Sequence, residues 1–277
     1  MSVLQTFAGQ WFVVKIGGEL ALDVHRLAAT VGAAVNQFLG AGIKVAIVHG
    51  GGPQATELSK RLGLETRQVA GQRITDEATL EVMKQVLGGV GVNVASAMRL
   101  AQVTAIATSG VSAGLVDATR RPPVKVGEQL VDYGLVGDVT NVNVTLLEVL
   151  AKAGVVPVIG CLAADGLGQV YNVNADTVAT RIAGRLGAAR LFLVSNVPGV
   201  LADKNDASTR FPMLNPTEAR AQIASGAIQG GMIPKVEESL AMLDEGIGAI
   251  HIVGLHPETS LLDEAREPGS RGTVFVK

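Results

Sequence analysis

Four stretches hold the residues best suited to chemistry. In "WFVVKIGGEL" (11–20) an apolar run ends on Lys15, with Gly17 and Gly18 just after it. Lysine is rarely inside a protein without a partner, so Lys15 at the end of a strand-like run calls for one. In "KVAIVHGGGPQ" (44–54) a second apolar run opens into Gly50, Gly51 and Gly52 ahead of a helical stretch. Bare backbone at such turns lets N–H groups approach an anion, and the following helix N-terminus favours negative charge. "YNVNADTVATRIAG" (171–184) alternates Asn172, Asn174 and Asp176 before an apolar helix. Helix capping uses one such residue. That leaves Asp176 free to hold lysines in position and the asparagines free to bond a polar substrate. "GGMIPKV" (230–236) adds Lys235 in another glycine-flanked apolar setting. Two lysines, one carboxylate and two glycine cradles are a minimum set for phosphoryl transfer, which proceeds by positioning and charge stabilisation.

The elements that must position these residues alternate along the chain. Strand-like runs at 12–16, 44–49, 103–110, 155–160, 191–196, 249–254 and 272–276 are separated by stretches with helical apolar spacing at 21–42, 54–63, 75–101, 144–153, from about 174, 216–225, 235–245 and 260–265. Pro53 suits the first position of its helix, and Gly88 and Gly89 could divide the long 75–101 segment into two. The turn-rich region 110–142 reads as β-hairpins. Alternation of this kind predicts right-handed β-α-β units in an α/β fold: a three-layer αβα sandwich around a central, mostly parallel open sheet. Ligands of such sheets bind at the carboxyl ends of the strands, where "KIGG" and "HGGGPQ" fall. The glycine-rich segment 161–172 is the expected seam between an N-lobe (1–165) and a C-lobe (166–277).

Composition narrows the classes. Of 277 residues, 48% are hydrophobic, 17% charged and only 3% aromatic, so a large aliphatic core is expected and disorder is not. A net charge of −2 without a basic block gives no support for nucleic-acid binding. No uncharged apolar run is long enough for a membrane span, and the lone Cys161 fits a reducing, cytoplasmic setting. There is neither a GxxxxGK[ST] nor a GxGxxG between strand and helix. "GVSAG" (110–114) does match the GxSxG nucleophile elbow, with Asp203, His251 and His256 downstream. An elbow opens a helix, however, and "LVDATRRPPV" cannot be one through its prolines. A glycine-rich turn is the plainer reading of Ser112. His25 and His251 read as surface or core residues, and His49 as a packing or hydrogen-bonding residue before the glycines.

"VVKIGGEL", "VHGGGPQ", "GQRITDEATLEVM", "YGLVGDV", "YNVNADTVA", "VPGVL" and "GGMIPKV" occur in the order seen in the amino-acid kinase family, which the chain resembles from about residue 11 to its last strand. The resemblance is greatest to members that phosphorylate N-acetyl-L-glutamate in arginine biosynthesis. It implies that Lys15 and Lys235 contact the transferring phosphoryl group, with Asp176 organising them. Gly17 and Gly18 would offer N–H groups to the phosphates, and Asn196, Val197, Gly199, Leu201 and Met232 would line the ATP pocket. Gly51 and Gly52 would cradle the acyl-amino acid, Arg73 would grip its α-carboxylate, and Asn172 would hold its other side, with Asn174 close by. ATP and Mg²⁺ are the implied cofactors, the magnesium held by ATP oxygens and water with no protein ligand. A γ-carboxylate is already ionised at neutral pH, so no general base is needed.

Some residues depart from the family pattern. Asn196 stands where Asp is common, "SGVSAG" replaces a more charged turn, and the segment before Lys15 is shorter than the N-terminal helix of arginine-inhibited hexamers. These features favour an arginine-insensitive homodimer built on the N-lobe. N-Acetyl-2-aminoadipate differs from the expected substrate by one methylene, worth about 1–3 kcal/mol in a pocket. A carrier-borne glutamate or aminoadipate would require a basic face, for which Arg120, Arg121 and Lys125 are available. A non-catalytic sensor on the same fold would be expected to lack Lys15, Asp176 or Lys235, and all three are present.

Overall fold

The computed structural model describes residues 2–203, 205–229 and 232–277. A short 3-10 turn leads into β1 (Trp11–Ile16), in which Phe12, Val13, Val14 and Ile16 are fully buried. Side chains of a strand point to alternate faces, so burial of consecutive residues means both faces of β1 are covered. Helices α1 (Val24–Leu27) and α2 (Ala33–Gly40) are joined by a π turn at 28–32 with helical backbone, so the helix expected over 21–42 is one rod over 24–40, and Ala21 and Leu22 belong instead to a 3-10 turn that ends at the extended Asp23. Next come β2 (Lys44–His49), α3 (Gly52–Arg61), and a small hairpin of β3 (Gln68–Val69) and β4 (Gln72–Arg73). Helix α4 (Glu77–Leu100) runs unbroken through Gly88 and Gly89. Its buried positions Leu80, Met83, Leu87, Val90, Val94, Ala97 and Met98 keep helical spacing, so packing of that face outweighs the two glycines.

Strand β5 (Ala105–Ser109) is followed by the expected hairpin region: β6 (Val116–Arg120), β7 (Val124–Val126), β8 (Gln129–Val131) and β9 (Gly137–Val142). Helix α5 (Thr145–Lys152) and β10 (Val156–Gly160) come next. The glycine-rich segment at the expected lobe seam is a hairpin of β11 (Leu162–Ala164) and β12 (Val170–Asn172). The C-terminal part holds α6 (Ala175–Leu186), β13 (Arg190–Val194), β14 (Met213–Leu214), α7 (Pro216–Ala224), α8 (Met232–Leu243), β15 (Ile250–Val253), α9 (Ser260–Arg266) and β16 (Gly272–Phe275). Helix α8 begins at Met232, before the expected start at Lys235.

The large sheet has the order β14-β16-β15-β13-β1-β2-β10-β5, parallel at every step except β15 against β16. A second sheet, β12-β11-β6-β9, and the β3–β4 and β7–β8 hairpins stand beside it. From β1 the chain winds to β2 on one side and reaches β13 on the other. The carboxyl ends of these strands therefore border a crevice of the kind that holds ligands in open α/β sheets. Phe12 lies at the centre of the core, packed edge-on against Phe38 and Phe192.

Beyond the core, Glu264 of α9 is buried with His251 Nδ1 at 2.8 Å, and it accepts the N–H groups of Gly269, Arg271 and Gly272 at 2.7–2.9 Å. This knot holds the segment before β16, whose Thr273 accepts the N–H of Val200 and so anchors the loop after β13. Burial alone would raise the Glu264 carboxyl, but His251 and the backbone N–H groups outweigh it and hold the acid below its usual range. A depressed acid stabilises the fold above its unfolded pKa and loses that contribution as pH falls through the folded value. Burial holds the His251 pKa below its usual range, so its ring is neutral near pH 7, and Glu264→Gln should cost about 1–3 kcal/mol there, as leaving buried donors without their charged acceptor does. In urea melts, the gap to wild type should shrink below about pH 4.

Candidate active site

Lys15, the penultimate residue of β1, places its Nζ 2.8 Å from Asp176 Oδ1. The carboxylate stands in the first turn of α6, where the helix dipole favours a negative charge. The cap of that helix is Asn174, whose side chain accepts the Asp176 N–H at 2.8 Å. The three alternating polar residues thus divide their tasks: Asn174 caps, Asp176 pairs, and Asn172 faces a cleft from the end of β12. Lys235, in α8, opens to the same cavity as Lys15 and Asp176. Its Nζ reaches Ser195 Oγ at 3.4 Å and makes no ion pair among the described residues. Asp176 therefore binds one lysine directly and acts on the other through its field. Partial desolvation lowers the Lys235 pKa, and Asp176 opposes that shift. Gly230 and Gly231, which precede this helix, lie outside the described residues.

Gly17 and Gly18 follow Lys15 but differ in what requires them. A Cβ at Gly18 would stand 2.5 Å from Gln54 Oε1 and 2.9 Å from Gly51 Cα, so the first glycine loop is pressed against the second. The Gln54 amide donates to the Gly18 carbonyl at 2.6 Å and ties the loops together. A Cβ at Gly17 or Gly52 would meet nothing within 4 Å. The protein itself does not need glycine there, and close approach by a ligand is what those two positions permit. His49, ahead of the second loop, is buried with Nδ1 3.2 Å from the Gly50 carbonyl. Gly91 and Gly160 make room for its ring, and burial pushes its pKa down to about 4. The ring is neutral and oriented by the backbone, a packing and hydrogen-bonding residue.

From the second loop a cleft of about 800 Å³ runs between Arg73, Arg121, Asn172 and the start of α6. Arg73 is only 8% exposed. Its Nη2 donates to the Gly52 carbonyl at 3.1 Å and to Thr56 Oγ1 at 2.7 Å, while its Nη1 is buried without a partner. Burial lowers its pKa, but a guanidinium remains a cation. An unpartnered cationic donor in a cleft is suited to a carboxylate, which can take it in bidentate fashion. Asn172 donates to Thr75 Oγ1 at 3.2 Å. Cys161 lies under the same cleft, where burial pushes its thiol up to about 12 and keeps it unreactive.

The remaining expected residues lie apart from this cavity or at its margin. Asn196 donates to Glu19, linking the loop after β13 to the first glycine loop. The Val197 N–H points to Ser195 Oγ, at 3.4 Å. A Cβ at Gly199 would meet Thr273 Oγ1 at 2.6 Å, and Leu201 is buried and bridged to Arg210. Met232, at the start of α8, packs on the core. None of these five lines the cavity between Lys15 and Lys235. Ser112 sits in a 3-10 turn leading to a strand, with Ser109 as its partner and no histidine. The proposed basic face is largely neutralised: Arg120 pairs with Asp132 and Arg121 with Asp138. Ser195, Thr56, Thr75 and Glu238 belong to the site region but carry no signal in the sequence beyond being polar, while Arg121, expected in a basic face, lines the cleft beside Arg73.

Among the described residues no helix is long and apolar enough to cross a membrane. The sequence profile of the amino acid kinase family matches residues 10–254. Acetylglutamate kinase of Sorangium cellulosum is 49% identical over 95% of this chain and 94% of its own length. Acetylglutamate kinase of Anaeromyxobacter sp. strain Fw109-5 is 48% identical over 95% and 98%. Among solved structures, N-acetylglutamate synthase of Neisseria gonorrhoeae aligns with a TM-score of 0.81 at 20% identity, covering 99% of this chain and 61% of the synthase. Giardia carbamate kinase aligns with a TM-score of 0.68 at 16% identity, over 98% and 99%. The two structural likenesses establish the fold.

The two kinds of glycine can be separated by stability. Gly18→Ala overpacks the contact between the loops and should lose about 1–3 kcal/mol in urea unfolding. Gly17→Ala, with open space around it, should stay within about 0.5 kcal/mol of wild type.

Proposed function

The chain belongs to the amino acid kinase family, and on that premise we propose that it transfers the γ-phosphoryl group of ATP to the γ-carboxylate of N-acetyl-L-glutamate. The products are N-acetyl-L-glutamyl 5-phosphate and ADP, in a step of arginine biosynthesis. The names borne by relatives 48–49% identical support the substrate. One observation carries the assignment to these residues. The buried, half-unpartnered Arg73 guanidinium faces a cleft lined at the start of α6 by Asn174 and Ala175, and the next residue, Asp176, lines the Lys15–Lys235 cavity.

In this reaction Arg73 takes the α-carboxylate, Asn172 holds the opposite side of the substrate, and the Gly51–Gly52 backbone cradles it, near Asn174. A γ-carboxylate oxygen attacks the γ-phosphorus in line, and the bond to the β,γ-bridging oxygen breaks. The acceptor is ionised before it binds, so no residue removes a proton. Lys15 and Lys235 spread the charge that develops on the phosphoryl oxygens, and Asp176 keeps Lys15 aimed at them. Gly17 and Gly18 lie along the path of the phosphates, and the loop carrying Asn196, Val197, Gly199 and Leu201, with Met232 nearby, borders the nucleotide. Magnesium would ride on phosphate oxygens and water, as it does in many nucleotide sites.

We assign the acyl-amino acid and dimerisation to residues 1–165 and the nucleotide to 166–277. Both substrates are small and water-soluble, which suits a cytoplasmic enzyme. The large sheet ends on β5, whose Ile106 is 45% exposed, and beside it α4 presents Val92 at 62%. An exposed sheet edge with apolar neighbours is a surface that proteins cover, and a second copy is the cover we propose. Ile106→Lys combined with Val92→Asp should convert a dimer to a monomer in light scattering.

An assay coupled to ADP release should give turnover with N-acetylglutamate above N-acetylaminoadipate, glutamate and aspartate; no turnover with any acyl-amino acid would refute the assignment. Lys235→Ala should lower kcat by about 10²–10³-fold, the effect of removing one transition-state donor, with little change in the acyl-amino acid KM. Arg73→Ala should do the reverse, raising that KM by about ten- to hundredfold, as expected for a lost charged hydrogen bond.

A further inference from the structure

Glu238 stands one turn beyond Lys235 on α8 and faces the phosphoryl-transfer cavity, yet no role in the reaction derived above falls to it. It lines the cavity of Lys15, Asp176 and Lys235 and also the adjoining cleft between α6 and α8. Its carboxyl makes no hydrogen bond or ion pair among the described residues. The charged groups around it are Lys15 from β1, Asp176 and Arg181 from α6, Lys235 from its own helix, and Glu245 beyond the end of α8. β13, the residue after it and β15 contribute only Leu193, Val194, Ser195 and Ile252. Arg181 and Glu245 satisfy each other through two bonds of 2.7 and 2.9 Å. Lys15 is taken by Asp176 at 2.8 Å.

What remains is a near-neutral cavity: two lysines against two carboxyl groups. Nucleotide phosphates bring several negative charges into it, and an ionised Glu238 would repel them. Desolvation and then the Asp176 charge already push the Glu238 carboxyl upward, against the pull of Lys15 and Lys235. Phosphates arriving beside it act in the same direction as Asp176, since a nearby like charge disfavours ionisation.

We propose that Glu238 is a positioning residue that couples nucleotide binding to proton uptake: its carboxylate balances Lys235 in the free cleft and takes a proton from solvent as the phosphates enter. The inference rests on the nucleotide reading of this cavity. It gives affinity for MgATP a definite sign with pH. Below the free-protein pKa of Glu238 the acid is neutral in both states and affinity does not change. Between the free and bound values affinity falls as pH rises, and above both it is constant again.

Calorimetric titration of the full chain with MgATP, without acyl-amino acid, tests the coupling from about pH 4, where an ordinary carboxyl is already largely protonated, to about pH 8.5, in buffers of different ionisation enthalpy. Glu238→Gln should bind like wild type at the acidic end and about tenfold more tightly at the alkaline end, the value of one pKa unit. Wild type should take up more protons than the variant between those limits. Glu238→Asp, which keeps a titrating carboxyl, should keep the pH dependence, a result that a purely structural role would not give. A constant affinity ratio across pH would overturn the coupling. So would weaker binding by Glu238→Gln at high pH, which would mean that the carboxylate attracts the nucleotide's cation. Failure of both proteins to bind MgATP at any pH would overturn the nucleotide reading as well.

Discussion

A cation held at the end of an inner strand, covered on both faces, is the constraint on which the site depends. Lys15 and Asp176 are partly exposed, with side chains at 18% and 32%, so their ion pair adds little to stability, on the order of 1 kcal/mol or less. Its importance is positional. Val13, Val14 and Ile16 are fully buried, which leaves the Lys15 stem no room to wander. Asp176 is fixed by the first turn of α6, itself capped by Asn174. The ammonium is thereby held between two rigid elements with one face left to the cavity. Charge set in place before a ligand arrives needs no reorganisation when the reaction demands it.

Around that cation the backbone performs two separate tasks with the same residue type. At Gly18 and Gly51 glycine is required by the protein: the loops after β1 and β2 touch there, and a Cβ at Gly51 would also strike Val86, at 2.8 Å. At Gly17 and Gly52 no protein atom competes for the space. The contact between loops makes the two cradles one continuous surface, so a ligand held by one is registered against the other. The Gln54 amide on the Gly18 carbonyl fixes that registration with a hydrogen bond between neighbouring helical and loop segments.

The sequence is legible where its signal is long. Each inner strand of the parallel sheet is covered on both faces and therefore appears as an unbroken apolar run, and each helix between them has enough turns to show its period. Lys15, Asp176 and Lys235 stand out because charge next to such runs is unusual. The short strands were not legible. β3 and β4 contribute two residues each, and their turn places Ala70 and Gly71 at φ +48° and +77°. Two consecutive positive φ values normally announce themselves as Asn-Gly or Asp-Gly, and "AG" does not. The hairpin that positions Arg73 was therefore visible only through its motif. Glu238 was missed for another reason: an acid one turn from a lysine on a helix reads as a solvated pair until the opposing α6 and β1 are in place. The segment 161–172 reads as a seam between lobes and is a hairpin in the fold, because glycine and alanine mark boundaries and tight hairpins equally.

Arg73 also shows how the proposed reaction could measure its substrate. The strained turn at Ala70 costs about 1–2 kcal/mol for an L-residue in left-handed backbone, so its surroundings must hold it. Tyr133 donates to the Val69 carbonyl at 3.2 Å, the Thr75 N–H donates to the Tyr133 carbonyl at 3.0 Å, and Arg121 reaches Gln72 from the neighbouring hairpin. On its other side Arg73 is bonded to Gly52 and Thr56 at the start of α3. The guanidinium is thus clamped from two directions, while the lysines are positioned by β1, α6 and α8. An acyl-amino acid gripped at its α-carboxylate must reach the phosphoryl group across a span that neither end can adjust freely. A chain longer or shorter by one methylene misplaces the attacking oxygen. A pocket contact alone is worth about 1–3 kcal/mol per methylene, and fixed end points convert that misfit into lost alignment at the reacting atoms, where rate is most sensitive to geometry.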